Sequence, residues 1–223
     1  MKTMKPITVT LKKMRKAYPC EMGWEKLLKN LGKTKADSEP LKLVNILESN
    51  GVEDAIWCLR CMHKKELYLG GMFAAACAEA GLAGVKNPDK RAINGIRAAR
   101  RCSLGLCSKG EAARFIRAAD AARADLAVDY AACSASPARS ARSIRAAEAA
   151  RAVYAAAAAY YAAAAARAAR SADYAARADL ADYTAYAAEA ADAAAIFRSY
   201  FGAPKTKKQY IKMFKLESEN NKQ

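Results

Sequence analysis

The residue types that bind phosphate occur near the start of the chain. Gly32, Lys33 and Thr34 match the last three positions of the nucleotide-binding loop G-x-x-x-x-G-K-[ST], which presents several backbone N–H groups to phosphates. Leu27 stands where this loop requires its first glycine, and the residues between have a helical pattern. This mismatch favours a helix that stops at Gly32 and is followed by a polar loop. We therefore expect no nucleotide cofactor.

A second candidate site is the run Cys58-x-x-Cys61-x-His63, which contains residue types that bind zinc. Structural zinc sites hold such cysteine pairs in tight turns, whereas this pair falls in an apolar segment with helical spacing. Core cysteines are the better interpretation, and we expect no metal. His63 is the only histidine, so a catalytic Ser-His-Asp or Cys-His arrangement would need it, and no nucleophile is marked beside it. We expect no enzymatic activity and no catalytic residues.

Basic side chains are the third group that could do chemistry. The chain has a formal net charge of +16, and residues 1–110 carry 21 Lys+Arg against 10 Asp+Glu. Residues 111–202 are nearly neutral, with 11 Arg against 10 acids. A surface this basic indicates an anionic partner, which charge alone does not identify as protein, nucleic acid or membrane.

Cysteine usage and hydropathy indicate the compartment. The seven cysteines follow no disulfide-framework spacing, which predicts reduced thiols in the cytoplasm. No apolar segment of signal-peptide length follows the basic N-terminus. The longest uncharged run, residues 152–166, is rich in Ala and too short to span a bilayer. We expect a cytoplasmic protein without a membrane partner.

Short helices must position the N-terminal residues. Apolar residues recur at helical spacing, with Thr8 or Thr10 as the first cap and Trp24 and Trp57 as expected core anchors. Asp37 or Ser38 caps the third helix, whose first turn holds a proline. The predicted helices cover about residues 10–17, 20–31, 38–49, 52–62, 65–80 and 89–102.

The C-terminal half is dominated by Ala, with Arg–Asp and Arg–Glu pairs at helical spacing. Ser108 and Glu111 have the spacing of a capping box and begin a long helix. A second helical region runs from residue 137 to Phe201, and we expect it to break near residues 171–173 because one globular helix is rarely so long. The predicted fold is all-α: short N-terminal helices packed on long Ala-rich antiparallel helices, as a helical bundle.

The block from Gly23 to Cys61 is the most distinctive part of the sequence. It resembles the signature of the type-five group of immunity proteins, which are found near bacterial polymorphic toxins and in phages. The matching residues are Gly23-Trp24, Lys33–Asp37, Glu39-Pro40-Leu41, Ile46-Leu47, Asn50-Gly51 and Asp54–Arg60. The similarity continues through residues 73–82 and into Ala-rich helices. The resemblance implies a non-enzymatic, all-helical protein that binds and neutralises another protein.

We therefore predict one all-helical domain over residues 1–202, with a signature half at about 1–107 and an Ala-rich half at about 108–202, followed by a basic tail at 203–223. The predicted function is inhibition of a toxin or defence effector, for example as a phage-encoded anti-defence factor. The alternative is a basic nucleic-acid-binding protein. The predicted partner-binding residues are Lys33, Lys35, Arg60, His63, Arg97, Arg100 and Arg101.

Overall fold

The computed structural model describes residues 5–83, 85, 87–108, 110–111, 113–114, 117–118, 121, 124–125 and 192–220. This part is mostly helical, and its sheet is a two-stranded antiparallel ribbon. The predicted all-α class is confirmed at this level. The long Ala-rich helices, their antiparallel arrangement and the break near residues 171–173 lie outside the described residues.

The ribbon consists of β1, Thr8–Val9, and β2, Leu41–Lys42. The described helices are α1 Leu11–Lys16, α2 Glu21–Asn30, α3 Leu43–Asn50, α4 Val52–Trp57, α5 Tyr68–Ala83, α6 Lys90–Ser103, α7 Ala193–Phe197 and α8 Lys207–Asn220. Two 3-10 turns, Cys58–Cys61 and Lys64–Glu66, connect α4 to α5, and a π-helical turn, Arg198–Gly202, continues α7.

The C-terminal end of α2 shows whether Gly32, Lys33 and Thr34 form a phosphate-binding loop. The N–H groups of Gly32 and Lys33 donate to the carbonyls of Lys29 and Leu28, at 3.1 and 2.9 Å. This is the Schellman arrangement, and Gly32 adopts the left-handed φ of 62° that it requires. Because these N–H groups already bind helix carbonyls, they are not presented to a phosphate. The predicted helix stop is confirmed.

The predicted Thr10 cap and the predicted Ser108–Glu111 capping box are confirmed, and Asp89 caps α6 in a similar way. The Thr10 hydroxyl accepts from Lys13 N at 3.3 Å, and the Asp89 carboxylate accepts from Arg91 N at 2.6 Å. The capping box is reciprocal, because Ser108 Oγ accepts from Glu111 N at 3.1 Å and Glu111 Oε2 accepts from Ser108 N at 2.8 Å.

The predicted start of the third helix is wrong. The helix begins at Leu43 rather than after Asp37 or Ser38, because Leu41–Lys42 first pairs with Thr8–Val9 as a strand. Two other boundaries also differ. The helix predicted over residues 52–62 tightens into a 3-10 turn after Trp57, and the helix predicted to begin at about 65 begins at Tyr68.

The expectation that all cysteines are reduced is also corrected. Cys102 and Cys107 form a disulfide, with their Cα atoms 4.9 Å apart. The chain turns back after α6 at Gly105, whose φ is 76°, and this brings the two thiols together. The other described cysteines, Cys20, Cys58, Cys61 and Cys77, are free.

The core surrounds α5, which is buried along most of its length. Phe73 of α5 meets the rings of Phe197 and Phe201 edge-on, with centroids 5.5 and 5.7 Å away. Both of these phenylalanines are fully buried. Residues 193–202 therefore lie in the same core as the N-terminal helices.

The C-terminal tail packs on this core through Tyr210, Ile211 and Phe214. Tyr210 of α8 is buried and stacks on Tyr200 at 5.7 Å, with the ring of Tyr68 at 6.3 Å. The Tyr68 hydroxyl donates to the Lys205 carbonyl at 3.1 Å. The tail therefore docks on the helices.

We predict that Phe197→Ala destabilises the protein by about 3–5 kcal/mol, because it leaves a cavity between Phe73 and Phe201. The measurement is the free energy of unfolding from a denaturant titration. Met213→Ala, at an exposed position of α8, is the control and should change stability by less than about 0.5 kcal/mol. Equal midpoints for the two variants would contradict a core shared with residues 193–202.

A pH dependence follows from Tyr68. Burial raises the pKa of Tyr68 to about 12, from an unfolded value near 10. The unfolded chain therefore ionises first, so the stability that the neutral phenol contributes is present below pH 10 and is lost as the pH rises towards 12. Tyr68→Phe should destabilise the protein at pH 8 and have a smaller or reversed effect at high pH. Unfolding titrations of both proteins on either side of pH 10 check this, and a constant difference would contradict it.

Candidate functional site

Helix α1 is flanked by two loops that carry predicted partner-binding residues. On one side, Lys12 N donates to the carbonyl of Asp37, at 2.9 Å, in the loop that holds Lys33 and Lys35. On the other side, Lys13 Nζ lies 3.4 Å from His63 Nε2. We call this surface the basic face and define it as Lys12, Lys13, Arg15, Lys16, Lys35, His63, Lys64 and Lys65.

Asp37 compensates part of the basic face, since Lys33 and, to a smaller extent, Lys12 lower the pKa of its carboxyl group. The first acidic residue of the chain is Glu21, so α1 carries its four bases without an acid of its own. Glu21 is 3.4 Å from Arg15, and both side chains are exposed, so this pair is screened by solvent. The lysines Lys12 and Lys16 are exposed.

Lys33 has an internal role in its loop. Its ammonium group lies 2.6 Å from both Asp37 Oδ2 and Glu39 Oε2, and its side chain is 27% exposed. The hydrogen bond to Asp37, with that to Glu39, raises the pKa of Lys33, and the same lysine lowers the pKa of Asp37. Lys33 therefore shapes the loop that presents Lys35, and its contact with a partner stays a prediction.

The three predicted arginines of α6 lie on a different element from the basic face. Helix α6 packs mainly on α5. Arg97 is exposed, Arg100 pairs with Glu79, and Arg101 donates to the Leu106 carbonyl at 3.3 Å. The structure thus brings the loops that carry Lys35 and His63 together around α1, whereas the three arginines are on α6.

Beside the basic face lies a cavity of about 70 Å³ between α1, α2, α3 and α4. We call it the tryptophan cleft, because Trp24 and Trp57 both line it, together with Met14, Pro19, Cys20 and Asp54 among others. Trp24 is 6% exposed, which confirms its place in the core, whereas Trp57 is half-buried. Sequence patterns alone did not indicate this cleft.

A polar contact across the cleft holds its walls together. Asn50 Nδ2 donates to the Gly23 carbonyl at 2.8 Å and to Asp54 Oδ2 at 2.7 Å. A Cβ on Gly23 would lie only 2.8 Å from Asp54 Oδ2 and 3.0 Å from Cys20 Sγ. The close approach of α2 to the α3–α4 junction therefore requires glycine at position 23.

This contact gives a physical reason for four residues of the block from Gly23 to Cys61. Gly23, Asn50 and Asp54 make the contact, and Gly51 joins α3 to α4 with a left-handed φ of 104°. The sequence signal for this contact was a glycine within helix α2, at a position where the chain does not reverse direction and glycine is not otherwise needed.

An arginine guanidinium group lies over the ring of each tryptophan of the cleft. The Arg15 guanidinium carbon lies 5.5 Å from the Trp24 ring centroid, and that of Arg60 lies 4.7 Å from the Trp57 ring. Arg60 Nε also donates to the Trp57 carbonyl at 3.1 Å. Cation–π contacts of this kind fix the guanidinium groups near the cleft without removing their charge.

Two large apolar side chains project next to the cleft. Tyr18 is 88% exposed and Met22 is 83% exposed, and they adjoin the cleft residues Pro19, Cys20 and Gly23 along the chain. Tyr18 has a left-handed φ of 54°, a conformation that costs roughly 1–2 kcal/mol for a non-glycine residue. Exposed aromatic residues beside arginine are typical of protein-binding surfaces.

The cysteines near the site have the properties of core residues. Cys58 and Cys61 are buried, as the core interpretation expects, and burial raises the pKa of Cys58 well above its usual value. Cys58 is therefore a neutral thiol at ordinary pH and a poor nucleophile. Within the described part of the chain, no three His, Cys, Asp or Glu side chains converge to hold a metal ion.

The chain matches no protein-family model, no curated protein and no solved structure. Among the helices that the structure describes, none is long and apolar enough to span a membrane.

We predict that Gly23→Ala destabilises the protein by about 1–2 kcal/mol. Alanine ordinarily gains up to about 1 kcal/mol over glycine within a helix, but here its Cβ must displace the Asp54 carboxylate that Asn50 holds. Gly110→Ala is the matched control, because the nearest atom to a Cβ there is Ser108 Oγ at 3.9 Å. Thermal and denaturant unfolding of both variants decide the matter, and a stabilised Gly23→Ala variant would contradict the close approach.

Proposed function

We propose that this chain is a non-enzymatic inhibitor that acts in the cytoplasm, binding and neutralising a toxin or a defence effector in the manner of an immunity protein. A phage-encoded anti-defence factor is one form of this function. The observation that carries the proposal is the basic face, where α1 contacts two flanking loops that both carry exposed basic residues.

The basic face suits an acidic protein surface. Charges clustered on one side of a protein speed association with a partner of opposite charge and orient it. Tyr18 and Arg15 add the residue types that contribute most binding energy at protein interfaces. The resemblance of residues 23–61 to the type-five immunity proteins supports an inhibitor over other classes of protein-binding module.

Nucleic-acid binding is the second candidate, and the exposed Tyr18 ring beside Arg15 and Lys16 is the observation that favours it. An exposed aromatic ring in a basic patch can stack on a nucleobase while the neighbouring Arg and Lys side chains contact phosphates. The two candidates differ in salt dependence, because each phosphate contact adds to the slope of log affinity against log salt.

The test is affinity capture from the native host with and without nuclease, followed by identification of the retained proteins by mass. We expect one protein retained in stoichiometric amount after nuclease treatment. Partners that disappear with nuclease would contradict the inhibitor proposal and identify nucleic acid as the ligand.

For the captured partner, we predict that the double variant Lys12→Glu with Lys16→Glu lowers the affinity by about tenfold or more, since like charges then face each other. The control is Lys207→Glu with Lys208→Glu, which changes the net charge equally on α8 and should leave the affinity within about threefold. Calorimetric or surface-based titration measures both. Equal losses in the two variants would mean that net charge, rather than the basic face, governs binding.

A further inference from the structure

We propose that the tryptophan cleft receives an apolar side chain from an acidic segment of the partner protein. This inference rests on the proposed function, since it names the part of the partner that the basic face draws in. The occupant is a segment with one large apolar residue, such as Phe or Leu, between Asp and Glu residues.

The cleft is larger than a site for a single water, and its lining is mainly apolar. Its volume of about 70 Å³ is several times the roughly 10–15 Å³ that one water needs by the same measure. The rings of Trp24 and Trp57 and the side chains of Met14 and Pro19 provide apolar walls. Contact of a Phe or Leu side chain with such walls removes apolar surface from water, which favours binding.

The charges around the cleft determine which residues must flank the inserted apolar side chain. Arg15 and Arg60 lie over its two tryptophans, and the exposed Lys12 and Lys16 are on the adjoining helix. Carboxylates on either side of an inserted apolar residue would meet these positive groups. Asp54 lines the cleft itself, so the group that enters must be uncharged rather than acidic.

The same features argue against a nucleobase as the occupant. Base stacking needs an open ring face, but Trp24 is 6% exposed and both tryptophans have a guanidinium over the ring. A phosphate group would meet the Asp54 carboxylate. Tyr18 and Met22, which project beside the cleft, extend its apolar contact area towards a peptide.

Tryptophan fluorescence tests the proposal directly, because Trp24 and Trp57 are the only two tryptophans of the chain and both line the cleft. The probes are three short fluorescein-labelled peptides: Phe flanked by Asp and Glu, Gly with the same acidic flanks, and Phe flanked by Lys. Anisotropy measures the binding of each peptide, and tryptophan emission, followed with the unlabelled peptides, reports on the cleft.

We expect the acidic Phe peptide to change tryptophan emission saturably and to bind roughly tenfold or more tightly than the acidic Gly peptide. The Lys-flanked peptide should not bind. Equal binding of the acidic Phe and Gly peptides without an emission change would overturn the cleft proposal and leave the basic face standing. Failure of both acidic peptides to bind would count against the basic face and the cleft together.

Blocking the cleft chemically provides an independent arm. Cys20 lines the cleft and is exposed, whereas Cys58, Cys61 and Cys77 are buried. Alkylation with N-ethylmaleimide, in a Cys133→Ser background because Cys133 lies outside the described residues, should remove the advantage of the Phe peptide and leave the Gly peptide unaffected. The same treatment of a Cys20→Ser variant in that background is the control. A Phe advantage that survives alkylation of Cys20 would overturn the proposal.

Discussion

The candidate binding surface depends on how closely α2 approaches the junction of α3 and α4. The Asn50 amide bridges the Gly23 carbonyl and the Asp54 carboxylate, and there is no room for a side chain at position 23. This contact sets the separation of the walls that carry Trp24 and Trp57. A cleft of useful size remains because the polar contact holds the helices while the two indoles line the space beside it.

Some basic residues of the N-terminal half form ion pairs within the protein, and others are exposed to solvent. Lys33 forms ion pairs with Asp37 and Glu39 and shapes its loop, whereas Lys12 and Lys16 are exposed on α1. Arg15 and Arg60 do both: each packs on a tryptophan ring within the protein, and the cation–π contact orients the guanidinium group without removing its charge. The arrangement places apolar area and positive charge together, which favours recognition of a partner over chemistry on one.

The core and the candidate surface are linked by the same helices. Helix α3 contributes Asn50 to the cleft and also contacts the π-helical turn that follows α7, whose Phe201 packs on Phe73. The turn Arg198–Gly202 therefore packs on the helix that forms one wall of the cleft. Docking of α8 through Tyr210 covers the adjoining aromatic rings of Tyr68 and Tyr200.

The sequence by itself determined the all-α class and the ends of several helices, because those features depend on hydrogen bonds between neighbouring residues. The Thr10 cap, the Gly32 stop and the Ser108–Glu111 box each join residues within a turn or two, so residue type and spacing suffice to predict them. Only the tertiary structure decided the contacts between distant segments. Pairing of Leu41–Lys42 with Thr8–Val9 displaced a helix start that local signals favoured, and the Asn50 bridge created a cleft that no periodicity indicates. Helical spacing shows which face of a helix is apolar but not which other helix it packs against. The packing between helices is what forms the site.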